Sequence, residues 1–116
     1  MDVAYVVVTA VTILANAGSA AGDFAKLPFV LDNSADVGVP RSWLPWLAAL
    51  KAAGAAGLLL GLLGVPVVGT AAAIGLVAFF VGAVAAHVRA RVFGTLAFPV
   101  LYLGLAVASL VLAFGH

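Results

Sequence analysis

Residues 3–27 read VAYVVVTAVTILANAGSAAGDFAKL, and Pro28 ends the run. The stretch is long enough to cross a bilayer, whose hydrocarbon core takes about 20 mainly apolar residues as a helix. Its polar members are not scattered. Tyr5, Thr9, Thr12, Asn16, Ser19, Asp23 and Lys26 recur at steps of four and three, which puts them on one face of a helix whose other faces are apolar. Hydrocarbon offers hydroxyls and amides no partner, so such a stripe must face a protein interior or a water-filled cavity. One helix cannot satisfy that alone, and the rest of the chain supplies the neighbours.

A signal-peptide reading, with Ala20-Ala21-Gly22 as the small residues before a cleavage point, is rejected. The segment opens Met1-Asp2 without a basic region and stays apolar beyond the roughly 7–15 residues of a signal core. Across the 116 residues 66% are hydrophobic and 8% charged. Soluble domains carry about 25% charged residues, so this composition excludes a water-soluble fold and points to an all-α integral membrane protein. The length suits four spans with little chain left over. A second run covers about 43–63, opened by Trp43 and Trp46 where indoles favour the headgroup layer. After the short turn Gly64-Val65-Pro66 comes a third at about 66–86, and a fourth follows at about 94–114. The expectation is one membrane domain, residues 1–116, built as an antiparallel four-helix bundle. The segment 28–42, with Asp32, Asn33, Asp36, Gly38, Pro40 and Arg41, reads as its one long loop.

Lys26, Arg41, Arg89 and Arg91 fall on the side of loops 28–42 and 87–94. The positive-inside rule places these loops in the cytoplasm and residues 1 and 116 outside. Gly54, Gly57, Gly61 and Gly64 in the second span, and Ala71, Gly75, Ala78 and Gly82 in the third, form small-residue stripes. Such stripes let helices approach closely in lipid. The Gly57/Gly61 pair suits packing within the bundle or formation of a homodimer.

Lys51 lies more than a helical turn beyond Trp46, and a charge at that depth costs about 2.5 kcal/mol or more unless it snorkels or is paired. Asp23, at a similar depth on the inward stripe, is the expected partner. His87 and Arg89 close the third span on the same side. His87 reads as a proton-shuttling group or a headgroup-facing anchor. Asp23, Lys26, Lys51, His87 and Arg89 are thus expected together at the cytoplasmic mouth. In the fourth span Thr95, Tyr102 and Ser109 share a face, and Pro99 is expected to bend the helix so that Tyr102 looks inward, to donate to a ligand carbonyl or to cap a buried backbone group.

The chain has no cysteine, so thiolate metal sites and thiol redox chemistry of its own are excluded. Two distant histidines and few carboxylates give no metal site. The glycines lack the strand and lysine of a phosphate loop, Ser19 and Asp23 lack a nucleophile elbow, and a formal net charge of +1 gives no case for nucleic acid.

Three segments carry a resemblance: Gly22-Asp23-Phe24-Ala25-Lys26-Leu27; the run from Leu50-Lys51-Ala52-Ala53-Gly54 to Gly57-Leu58-Leu59-Leu60-Gly61; and Ala86-His87-Val88-Arg89. In this order and spacing they resemble the DoxX-like membrane proteins, small four-helix proteins of the bacterial inner membrane within the wider DoxX/DoxD group. The resemblance implies a membrane subunit of a quinone-linked redox complex or a partner of stress-response enzymes, without an intrinsic cofactor. The expected function is binding of a small lipophilic, quinone-like molecule in the bundle. Asp23, Lys51 and Tyr102 contact its polar end, and Asn16, Lys26, His87 and Arg89 complete the candidate set. The alternatives are a small dimeric exporter of the multidrug type, or an enzyme on a lipophilic substrate with Asp23 or His87 as general acid or base.

Overall fold

The structure, a computed structural model, describes residues 3–114. It contains five α-helices: α1 (Val3–Ala25), α2 (Pro28–Asp36), α3 (Leu44–Leu62), α4 (Pro66–Arg89) and α5 (Ala97–Phe114), with a single 3₁₀ turn over Arg41–Trp43 before α3. Four segments are long and apolar enough to span a membrane: Val3–Ala25, Arg41–Leu62, Pro66–Arg89 and Ala97–Phe114. The long axis measures 41 Å, which covers a hydrocarbon core of about 30 Å and reaches both headgroup layers.

The punctuation of these helices is written in proline and in left-handed caps. Pro28, Pro45 and Pro66 occupy the first positions of α2, α3 and α4, where a missing N–H is no loss and the fixed φ is already helical. Pro99 lies in the first turn of α5, where its missing N–H interrupts no intrahelical bond. At the other ends, α3 stops where Gly64 takes φ 110° and the Val65 amide donates back to the Leu60 carbonyl at 3.0 Å. The same reversed cap closes α1 and α4, but with Lys26 at φ 53° and Arg91 at φ 57° in the place that usually holds glycine.

Three boundaries differ from the sequence reading. Segment 28–42 is largely the helix α2, with Val30, Leu31, Asn33, Ser34 and Val37 half-buried and Asp32, Ala35 and Asp36 exposed. Its polar composition hides an amphipathic helix that Pro28 initiates. The third helix continues to Arg89, so His87 belongs to it and not to a loop. The fourth begins at Ala97, three residues later than the apolar run.

The four long helices form a closed ring in which α1 packs on α3, α3 on α4, α4 on α5 and α5 on α1. Leu58, Ala73, Leu76, Phe80 and Ala106 make the apolar core. Between α3 and α4 the backbones nearly touch: a Cβ added at Gly61 would lie 2.7 Å from Gly69 Cα. A Cβ at Gly57 would meet the Ala72 Cβ at 2.6 Å. The Gly57/Gly61 pair thus serves packing within the bundle. The stripe of Ala71, Gly75, Ala78 and Gly82 does not; these residues are exposed, and nothing lies within 4 Å of a Cβ at Gly75 or Gly82. α4 meets α3 through Gly69, Ala72 and Leu76 instead. Trp43 and Trp46 are 55% and 75% exposed at the end of α3, as residues of the headgroup layer are.

Candidate functional site

The polar face of α1 is turned into the ring. Tyr5, Thr9, Thr12, Asn16 and Asp23 are all buried, Ser19 is half-buried and Lys26 exposed. Near the α2 end of the bundle, Lys51 Nζ donates to Asp23 Oδ2 at 2.7 Å and to Ser19 Oγ at 2.9 Å. The two charged side chains are 13% and 7% exposed. Nζ also stands 5.6 Å from the centroid of the Phe79 ring, within reach of a cation–π attraction. The ammonium is therefore held from three sides, by a carboxylate, a hydroxyl and a ring face supplied by α1 and α4. The geometry explains the depth of Lys51: a compact charge is tolerated because the charge opposite it is in hydrogen-bonding contact.

His87 belongs to a separate cluster. Its Nδ1 donates to the Ala83 carbonyl at 2.8 Å and its Nε2 lies 3.2 Å from Asn33 Oδ1, which also accepts the Thr95 hydroxyl. His87 is 5% exposed; it is buried and not a headgroup-facing anchor. The cluster fastens α2 and the α4–α5 connection to the end of α4. Because a carbonyl only accepts, Nδ1 carries a proton. Nε2 meets the side-chain amide of Asn33.

The remaining candidates lie apart. Tyr102 donates its hydroxyl to the Ala15 carbonyl at 3.1 Å and sets its ring 5.3 Å from that of Phe80, so it caps a backbone group. Asn16 donates from Nδ2 to the Thr12 carbonyl at 2.9 Å. Lys26 and Arg89 are exposed and, among the described residues, Lys51 with Asp23 is the ion pair. The expected mouth of five charged groups is thus one ion pair, one histidine cluster and two outward cations. The sequence reading missed Asn33 and Ser19 as partners. Asn33 is an amide in a segment read as loop, and Ser19 is one hydroxyl among several on the stripe. Tyr102 and Ser109 do point inward from α5, with Ser109 Oγ 2.9 Å from Thr12 Oγ1, whereas Thr95 lies in the α4–α5 connection ahead of that helix and bonds Asn33.

Two grooves open on the outer surface of the ring. One, about 550 Å³, runs between α3 and α4 along Gly54, Gly57, Ala71, Gly75, Leu76 and Phe79. The other, about 430 Å³, lies between α1 and α3 along Ile13, Ala17, Ala20, Phe24, Ala56 and Leu59. Both are apolar and face the lipid, and Phe79 joins the first of them to Lys51.

With this geometry in view, the comparison with known proteins is decisive on one point. The sequence profile of the DoxX-like family matches residues 7–109, which takes in α3 and α4 whole, most of α1 and α5, and both polar clusters. The chain belongs to the DoxX-like family. No curated protein and no solved structure matches it. A DoxX-like chain with four apolar helices long enough to cross a bilayer is a multi-pass membrane protein.

Proposed function

We propose that this DoxX-like protein is a membrane-embedded binding module for a small lipophilic molecule with a polar end, of the quinone type. In this reading the apolar body lies in the groove between α3 and α4, and the polar end meets Lys51. One observation carries it: Phe79 lines the groove and holds its ring face 5.6 Å from Lys51 Nζ. A carbonyl oxygen reaching past that ring takes the N–H direction the ring occupies and leaves the bonds to Asp23 and Ser19 in place. The residues present fit such a group with one donor, on Lys51; Tyr102 is engaged elsewhere by Ala15. The location differs from an interior cavity, because the groove that Phe79 lines opens on the lipid side of the ring and reaches Lys51 only past that side chain. The reading extends to a membrane subunit of a redox or stress-response complex that presents the bound molecule to a partner enzyme.

The exporter and enzyme readings have less support. Asp23 is neutralised by Lys51 at 2.7 Å, where proton-coupled export of cations wants a carboxylate free to exchange. Both ring nitrogens of His87 are engaged by the protein, which argues against an acid or base waiting for substrate. The exposed Lys26, Arg41, Arg89 and Arg91 favour a cytoplasmic position for α2 and the α4–α5 connection, with residues 1 and 116 outside.

The test is equilibrium binding of a short-chain ubiquinone analogue to the purified protein in nanodiscs, together with mass spectrometry of small molecules that survive purification. Saturable binding weakened at least tenfold by Phe79→Ala or Lys51→Met is expected. Binding that is absent, or indifferent to both substitutions, overturns the proposal. Reporter fusions after residue 116 that behave as cytoplasmic overturn the orientation.

A further inference from the structure

Two polar atoms inside the ring have no hydrogen-bond partner among the described residues: the hydroxyl oxygen of Thr9 and the amide oxygen of Asn16. Their residues are 1% and 0% exposed. Within the hydrocarbon layer an unsatisfied polar group is costly, and each one in a native structure calls for a cause.

The orientation of the Asn16 amide is fixed by chemistry. Nδ2 donates to the Thr12 carbonyl at 2.9 Å, and turning the amide over would set Oδ1 against that carbonyl, acceptor against acceptor. Oδ1 is therefore the branch turned away from its own helix, with its lone pairs unused. Thr9 is informative beside Thr12. The hydroxyl of Thr12 donates back to the Val8 carbonyl at 2.8 Å, so Ser109, 2.9 Å away, donates to Thr12. A helical threonine has this bond to the carbonyl four residues back within reach of one rotamer. Thr9 forgoes it, and its hydroxyl stays in the interior with one hydrogen to give and two lone pairs to fill.

We propose that Thr9 Oγ1 and Asn16 Oδ1 each hold an internal water molecule, one on either side of the Thr12–Ser109 pair. The inference is independent of the lipophilic ligand proposed above. Water is the fitting occupant for two reasons. It both donates and accepts, as an acceptor-only amide oxygen and a hydroxyl together demand, and both residues are closed off from the grooves, whose walls include neither Thr9 nor Asn16. The two sites are distinct, since seven residues of helix separate the atoms by about 10 Å, too far for a single bridging molecule. The further bonds that a buried water needs are available along the same face, where Thr12 neighbours Thr9 and Ser19 neighbours Asn16 at helical spacing. The tier from Thr9 to Asn16 is then a hydrated layer at mid-span, continued by Ser19 toward Lys51.

The test uses the full chain, uniformly ¹⁵N-labelled, in detergent micelles. Cross-relaxation from slowly exchanging water is expected at the Asn16 side-chain NH₂ and at the amide of residue 9. Thr9→Val keeps the volume of the side chain and removes only the hydroxyl. It is expected to lower the thermal midpoint by a few degrees and to abolish the signal at residue 9 while leaving that at Asn16. If Thr9→Val raises the midpoint, the hydroxyl was dry and the proposal fails at that site. If wild type shows no long-lived water signal at the Asn16 side chain, it fails at the other.

Discussion

Replacing either member of the Asp23–Lys51 pair should be far more damaging than replacing both. The contact is a 2.7 Å charge-assisted hydrogen bond between side chains only 13% and 7% exposed, and removal of one partner from a buried pair costs about 3–5 kcal/mol because the other charge is stranded. The two single changes are not equal. Asp23→Asn leaves an amide oxygen that still accepts from Lys51, while Ser19 and the Phe79 ring continue to hold the ammonium, so its loss belongs at the lower end, about 3 kcal/mol. Lys51→Met leaves a carboxylate whose ammonium is gone, and belongs near about 5 kcal/mol. The double variant Asp23→Asn with Lys51→Met removes both charges and keeps the volume, and should lie within about 2 kcal/mol of wild type. Reversible unfolding in mixed detergent micelles, run on all four proteins, gives the coupling as the difference between the double loss and the sum of the single losses. A coupling of several kcal/mol is expected. Losses that add to within about 0.5 kcal/mol, as for independent sites, would refute the claim that each charge is tolerated because of the other.

Gly61→Leu should unfold or loosen the α3–α4 hairpin, since its Cβ would come 2.7 Å from the Gly69 backbone; a loss above about 3 kcal/mol is expected in the same micelle assay. Gly75→Leu, on the outward stripe with nothing within 4 Å, should leave the midpoint of the monomer's unfolding where it was. Asn33→Ala removes the side-chain amide that bonds both His87 and Thr95. It should raise hydrogen exchange across α2 without changing exchange in α1 or α3. Lys26→Gly and Arg91→Gly should each stabilise by up to about 1 kcal/mol, because a left-handed residue with a Cβ costs about 1–2 kcal/mol and glycine returns part of that as backbone entropy; a fall in the midpoint would show that these side chains hold the caps.

What could be read without coordinates follows from contrast. Against an almost wholly apolar background the 3.6-residue recurrence of Tyr5, Thr9, Thr12 and Asn16 leaves one solution for the helix face, and Asp23 and Lys51 at similar depth point to a pair, although snorkelling of Lys51 is the alternative that only the 2.7 Å contact removes. Where contrast fails, so does the reading. α2 is polar enough to pass for loop, and its partnership with His87 depends on Asn33, whose role no spacing announces. The small-residue stripes of the second and third spans look alike in sequence, yet one is packed and the other faces lipid. The difference depends on the rotation of α4 about its axis, fixed by Leu76 filling the space beside Gly54. Pro99 reads in sequence as a bend inside the fourth span, because the apolar run starts at Gly94 and hides the first helical turn at Ala97.

The ring order has a consequence for how the chain is made. α1 is synthesised first, yet its hydroxyl at Thr12 meets Ser109 across 97 residues of sequence, and its carboxylate at Asp23 meets Lys51 across 28. At translation rates of about 5–20 residues per second, roughly 5 to 20 seconds pass between the emergence of Thr12 and that of Ser109. During that interval the nascent α1 carries an unmatched polar seam that lipid does not satisfy. It is therefore a helix to be retained beside the insertion machinery until its neighbours arrive, with α3 docking first and α5 closing the ring last. Completion of the bundle is timed by the final helix, and a chain shortened within α5 leaves its first helix poorly matched to lipid.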